Sequence, residues 1–335
     1  MGEMLVFSLN GVGPILLLML VGFVLRKTGV INREASNRIN RLAFVALIPC
    51  KLFSQVYSSD LSAVVDLKLI LVCLAGTAAV LVLLCLLVPR AIGPGPARGE
   101  FIQGVYRGNA AILGFSLITN LYGDAAAAVI ALPLPVMVIF YNITAPIVLA
   151  LYSGGARPKA GEVIKKVASN PFLIGTVLGV VCNLTGLKLP VFVEKTVDNL
   201  GSAGSTVALV ALGAMTDVES FRKSGKLALS ASLLRLAVIS PLMILVGALF
   251  GIRCEQMAAI VCFFATPTAV GGYVLAKNVD GDGSLAGQIL IVTTILSMLT
   301  MFLTDGAQGA GSDVTKRVKS EEWRVEFWKY RKSVM

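Results

Sequence analysis

The sequence predicts an all-α polytopic membrane protein with ten transmembrane helices. Three observations predict it. Of the 335 residues, 56% are hydrophobic and only 14% charged, with a mean hydropathy of +0.83; soluble domains carry nearer a quarter charged residues. Apolar runs such as LILVCLAGTAAVLVLLCLLV and LIGTVLGVVC recur along the chain, and the first is long enough to cross about 30 Å of hydrocarbon. The basic residues between the runs are unevenly shared among the loops. Membrane β-strands alternate weakly over short segments and do not produce such runs.

The spans follow in order, each bounded to within a few residues. Span one, about 11–26, has no basic segment ahead of it and runs straight into a basic loop. It therefore reads as a first helix rather than a cleavable leader. Span two, about 40–57, holds Asn40 and a proline bend at Pro49 in ALIPCKLF. Span three, about 65–88, is uniformly apolar. Span four, about 101–122, opens FIQGVYRGNAAILGF and sets Gln103, Arg107 and Asn109 in an apolar run. Its Gly104 and Gly108 form a small-xxx-small pair suited to close helix packing. Span five, about 125–151, is long enough to tilt and carries Tyr141, Asn142, Thr144 and Pro146 in FYNITAP. Span six covers about 169–187. Span seven, about 203–216, is short and reads GSTVALVALGAM. Span eight, about 227–250, contains Arg235. Span nine, about 256–276, contains FFATPTAVGGYVLAKN, and span ten, about 285–304, holds Thr293, Thr294, Ser297 and Thr300.

The loop after span one carries Arg26, Lys27, Arg33, Arg38 and Arg41. Loops after spans three, five and seven add Arg90, Arg98, Arg157, Lys159, Lys165, Lys166, Arg222, Lys223 and Lys226. The opposite side is assigned only Lys51, Lys68, Lys188, Lys195 and Arg253. The positive-inside rule makes the richer side cytoplasmic, and ten spans then place both termini outside. The basic tail TKRVKSEEWRVEFWKYRKSVM runs against that bias. The net charge of +10 is thus an orientation signal spread over short loops, not a nucleic-acid-binding patch. Six cysteines, Cys50, Cys73, Cys85, Cys182, Cys254 and Cys262, lack CxxC spacing and read as small buried hydrophobes. The sequence has no histidine, which removes histidine metal sites and histidine proton relays. No cofactor is expected.

The chain divides near the basic loop SGGARPKAGEVIKKVASN, giving a first half at 1–156, a second at 157–304 and a polar basic tail at 305–335. Five spans per half is an odd number, so similar halves would be inverted relative to each other. Polar residues fall in the middle of span four and again in span nine. In span nine Pro267 removes a backbone donor, Thr266 and Thr268 flank it, and Gly271 and Gly272 follow. Two readings stand: a simple proline kink, or a helix broken at a protein-lined substrate cavity. Two also stand for Arg107: snorkelling to the cytoplasmic surface, or facing an aqueous cavity that attracts an anion. Asn109 and Asn142 are amides that need hydrogen-bond partners at depth; most of the serines and threonines are expected to pack helices.

QGVYRGNAAILGF resembles the Q-x-x-x-R-G-N element of the auxin efflux carrier family. PILLLMLVGFVLRKTGVIN resembles that family's first helix and loop, FYNITAP its fifth-helix Y-N element, NPFLIGTVLG its sixth-helix opening and TPTAVGGYVLA its ninth-helix proline region. The resemblance spans about residues 12 to 304. It implies two inverted five-helix repeats in a scaffold group and a transport group. Helices four and nine would be unwound where they cross, in a fold similar to sodium–proton antiporters and bile acid transporters. It also implies a multi-pass cell-membrane carrier of small carboxylates, a substrate site at the crossing, and homodimers in some members. Ser116 departs from the family, where a proline often stands, and the long cytoplasmic loop of plant members is replaced by about 18 residues.

On this reading Asn109 and Asn142 hydrogen-bond a bound anion, Thr266 and Thr268 add hydroxyls across the Pro267 break, and Arg107, with Gln103 on the same segment, concentrates anions from the cytoplasmic mouth. Half-helix N-termini add positive potential. An anion channel and a transporter-like receptor are the alternatives. Asp217 and Glu219 are expected to cap span seven, and Asp60 and Asp66 to lie in an outer loop. Uniport driven by the membrane potential is the simplest coupling, at about 2.3 kcal/mol per charge per 100 mV.

Overall fold

The computed structural model describes residues 2–58, 66–110, 114, 129–130, 133–152, 160–216, 218–279 and 283–309. The described residues form helices, joined at one place by an isolated β-bridge. In chain order these are α1 (Gly2–Lys27), α2 (Arg33–Tyr57), α3 (Leu67–Ala91), α4 (Pro96–Tyr106), α5 (Pro133–Leu151), the short α6 (Ala160–Ala168), α7 (Pro171–Thr185) and α8 (Val191–Met215). Then come α9, built from Val218–Leu233, the π-helical Leu234–Ile239 and Ser240–Leu249, and α10 (Cys254–Phe264), α11 (Val270–Asn278) and α12 (Ser284–Gly309). Among the described residues α2, α3, α5 and the Ser224–Leu249 part of α9 are long and apolar enough to cross a membrane, and Pro171–Thr185 and Ser284–Ser297 are shorter apolar helices.

Local chemistry sets the helix ends. Asn32 accepts from the Ala35 amide at 2.7 Å and starts α2, Asp66 accepts from the Leu69 amide to start α3, and Asn170 does the same for Phe172 at α7. Each satisfies an amide that the first helical turn leaves without a partner. Pro96 and Pro171 occupy first-turn positions, where a missing N–H costs nothing. The π-turns at Ala43–Leu47 and Leu234–Ile239 each stand just ahead of a proline, Pro49 and Pro241. A proline cannot donate to the carbonyl four residues back, and the π-turn re-spaces the ladder around that gap.

Several sequence expectations are corrected. The helix that carries span seven extends beyond the apolar run: α8 starts at Val191, well before residue 203. Its first turns carry Glu194, Lys195, Asp198 and Asn199, which depress hydropathy without breaking the helix. Lys51 does not belong to an outer loop but lies inside α2. Span four's first helix starts earlier, at Pro96, and ends at Tyr106; Ser116 and most of the residues after Ala110 lie outside the described residues, as do Asp60, Asp217, the side chain of Glu219 and the basic tail. Span nine is broken into α10 and α11, a full break and not a simple proline kink.

The buried side chains form two clusters. One draws on α3, α4, α9 and α10, with Leu69, Ile102, Tyr106, Ile239 and Phe263. The other draws on α1, α2, α7, α8 and α11, with Met19, Ile48, Phe172, Leu209 and Val274. Helices α5 and α12 contribute to both, Tyr141 and Ile289 to the first and Val138 and Leu290 to the second. Helices α1 and α8 meet closely: a Cβ on Gly22 would overlap the Val210 carbonyl, and one on Gly213 the Met19 carbonyl. Outward faces expose leucines and valines such as Leu20, Leu71, Leu83, Leu86, Val177 and Leu245. That surface suits lipid and would be a liability in water.

Candidate functional site

α4 and α10 both stop at one place, and the chain crosses itself there in extended form. Gly108 and Thr268 pair as an antiparallel bridge. The Asn109 amide donates to the Pro267 carbonyl at 2.9 Å, and the Ala269 amide donates to the Arg107 carbonyl at 3.3 Å. The Thr268 hydroxyl adds a bond to that same Arg107 carbonyl at 3.2 Å, while the Thr268 amide donates to the Thr293 hydroxyl. Unwound backbone is thereby satisfied within the protein. Gly108 is required: a Cβ there would overlap the Phe263 carbonyl and the Arg235 guanidinium.

A cleft opens beside the crossing, with about 540 Å³ of empty space counting the solvent at its open side. Arg107, Asn109, Ala269 and Gly271 line it from the crossing, Tyr141 and Asn142 from α5, Lys51, Leu52 and Gln55 from α2, and Ser205 from α8. Arg107 is buried, and its guanidinium donates to the Asn142 side-chain oxygen at 2.9 Å. The other terminal nitrogen of Arg107 and the amide nitrogens of Asn109 and Asn142 are buried with no hydrogen-bond partner among the described residues. Lys51 donates to the Ser205 hydroxyl at 2.9 Å. None of the described lining residues is acidic. The first turn of α11 begins at the crossing, so its positive end adds to this field.

The structure therefore brings together Arg107, Asn109 and Asn142 and separates them from the other expected ligands. Arg107 is buried and does not snorkel to the protein surface; it sits in the cleft wall. The Thr266 hydroxyl donates back to the Cys262 carbonyl, and Pro267 and Thr268 serve the crossing itself, so these three tie the backbone and do not line the cleft. Gln103 donates to the Gly272 carbonyl at 2.8 Å and clamps α4 to α11. Sequence reasoning missed Lys51 and Ser205. The available signal for Lys51 was its place inside an apolar run.

A helix that ends at the crossing, another broken there, and a polar cleft beside them are what a helical membrane transporter would show. The chain belongs to the membrane transport protein family, whose sequence pattern matches residues 7–304. It is 27% identical over 305 residues to an uncharacterized transporter of Methanothermobacter thermautotrophicus, covering 88% of this chain and 96% of that one. It is 25% identical to the uncharacterized transporter YfdV of Escherichia coli, covering 86% and 95%. A putative malonate transporter of Rhizobium meliloti is 24% identical over 212 residues, covering 61% of this chain and 65% of that protein. The fold is similar to that of the sodium proton antiporter MjNhaP1 from Methanocaldococcus jannaschii, with a TM-score of 0.54, 11% identity and coverage of 89% and 97%.

Proposed function

We propose that this transporter carries small organic anions with one or two carboxylates, by alternating access at the crossing. The observation that supports the reading is the set of unpartnered buried donors on Arg107, Asn109 and Asn142, which face a cleft that also holds Lys51. Buried donors without acceptors are costly, and a carboxylate offers four lone-pair sites for them. A cationic substrate would meet two cations and no carboxylate among the described lining residues. The relative whose name carries a substrate, malonate, is in keeping with this reading.

The reading also takes the chain as ten helices in two inverted repeats, with α4 and α10 as corresponding first halves of the crossed helices. Movement would pass between the two packed clusters, since α2 and α8 line one side of the cleft and the crossing lines the other.

The test is a thermal-shift screen of the purified protein with malonate, malate, succinate, lactate and indole-3-acetate, followed by counterflow in proteoliposomes. Stabilisation by at least one acid and flux accelerated by the same acid on the far side are expected. Stabilisation by cations alone, or a non-saturating current with no trans-acceleration, overturns the reading in favour of another substrate class or a channel.

A further inference from the structure

Arg235 is fully buried in the π-turn of α9 and stands outside the cleft lining. Its Nε donates to the Thr266 carbonyl at 2.8 Å, one terminal nitrogen to the Val105 carbonyl at 2.6 Å and the other to the Phe263 carbonyl at 3.2 Å. Every nitrogen of the guanidinium is thus spent on main-chain oxygen. Val105 lies in the last turn of α4 and Phe263 in the last turn of α10, while Thr266 follows just after. These are the carbonyls that a helix leaves unsatisfied at its C-terminal end. Both half-helices point their negative ends at this spot.

Such a spot attracts a cation. In carriers with broken helices, half-helix C-termini and unwound carbonyls are where a coupling sodium ion or proton is held. Here the place is already taken by a side chain that stays protonated at any physiological pH. We propose that Arg235 is the resident counter-cation of the crossing, so that anion binding in the cleft requires neither sodium nor a proton at this position. The inference rests on the anion reading for its transport consequence, but not for the ion occupancy itself. Gly108 is consistent with it: the bridge residue has to lack a side chain because the guanidinium passes directly beneath it. Tyr141, at the cleft wall, is buried in the same cluster as the end of α10, so the cation and the cleft share one packed unit.

The experiment uses the full chain in nanodiscs without carboxylate. Melting temperature is measured at constant ionic strength in sodium, potassium and N-methyl-D-glucamine chlorides, and across pH. The expected result for wild type is no ion-specific shift. A saturable rise with sodium overturns the proposal. Arg235→Ala is expected to melt lower and to recover saturably with millimolar guanidinium, which wild type ignores; Arg235→Lys, which keeps the charge but reaches fewer carbonyls, is expected to melt between the two. An Arg235→Ala protein that melts like wild type, or an Arg235→Lys protein no more stable than Arg235→Ala, overturns it too. If Arg235→Ala does not fold, the wild-type ion series and Arg235→Lys still decide. Once a carboxylate is found by the screen, its affinity should be unchanged when sodium is replaced. Affinity that requires sodium overturns the role of Arg235 and keeps the anion reading; a flat ion series with no carboxylate bound does the reverse.

Discussion

Asn109 is held by its own backbone, since its amide N–H is committed to Pro267 across the crossing. Its side-chain nitrogen is left buried and unpartnered. On the proposed reading, replacing it with alanine would remove a bond to the anion without opening the crossing. One hydrogen bond to a charged group is worth roughly 1.5–3 kcal/mol, so affinity should fall about tenfold or more while the melting temperature holds. Asn109→Asp should be worse, because a carboxylate would face a carboxylate. Calorimetry on both variants, with their melting temperatures, checks this; wild-type affinity in a folded Asn109→Ala protein removes the residue from the site. Lys51 differs because it is partly exposed. At an effective dielectric near 20, a charge several ångströms from the anion contributes about 2–4 kcal/mol, and solvent and salt at the cleft's open side reduce it to a fraction of that. Lys51→Met should weaken binding several-fold and flatten its dependence on salt. The same affinity and the same salt slope in Lys51→Met would exclude it. Arg107, Asn109 and Asn142 were legible in the sequence because each interrupts an apolar run. Lys51 was not, because counting basic residues for orientation treats a lysine as a loop marker. The role of Arg235 was not either, since its partners are main-chain oxygens of residues 105, 263 and 266, and no side-chain pattern announces a carbonyl.

The crossing works as an element because hydroxyls and amides replace the helical ladder. Thr268 is central: its hydroxyl bonds the Arg107 carbonyl and its amide bonds Thr293. Thr268→Val keeps shape but strips the hydroxyl, leaving the Arg107 carbonyl with the Ala269 amide as its remaining partner, at a cost of about 0.5–1.5 kcal/mol. Melting temperature and anion affinity should fall together, and Thr268→Ser should restore both. A Thr268→Val protein that loses affinity at unchanged stability would instead make the hydroxyl a direct ligand. The break itself was readable from TPTAVGG through Pro267, which cannot donate to the helical ladder; the paired glycines fall in the first turn of α11. The end of α4 at Tyr106 was less so: GVYRGN has no proline, and Gly108 is needed for the approach of Phe263 and Arg235, a tertiary fact. The underestimated length of α8 has a simpler cause, because hydropathy records lipid contact and not helicity.

At the scale of the molecule, the division by packing cuts across the division by sequence. Each buried cluster takes helices from both halves of the chain, as two interlocked repeats would require. The cleft lies where the clusters meet, with Asn109 and Asn142 on one side and Lys51 and Ser205 on the other, so on the proposed reading a bound anion would touch both. Alternating access then needs the two sides to slide or rock, and a bridge between them should stop transport while sparing binding. Leu52 on α2 and Met137 on α5 are suitable positions: both line the cleft, and Leu52 belongs to the second cluster and Met137 to the first. In a background with the native cysteines replaced, Leu52→Cys and Met137→Cys joined by a short thiol cross-linker should bind the anion with nearly normal affinity. Counterflow should be lost on cross-linking and return when a cleavable linker is cut. A single uncleavable linker on either cysteine alone should have little effect, which controls for bulk in the cleft. Full counterflow with the bridge intact would mean that these two helices travel together, and the moving boundary would then have to run on the far side of α5, between Tyr141 and the crossing.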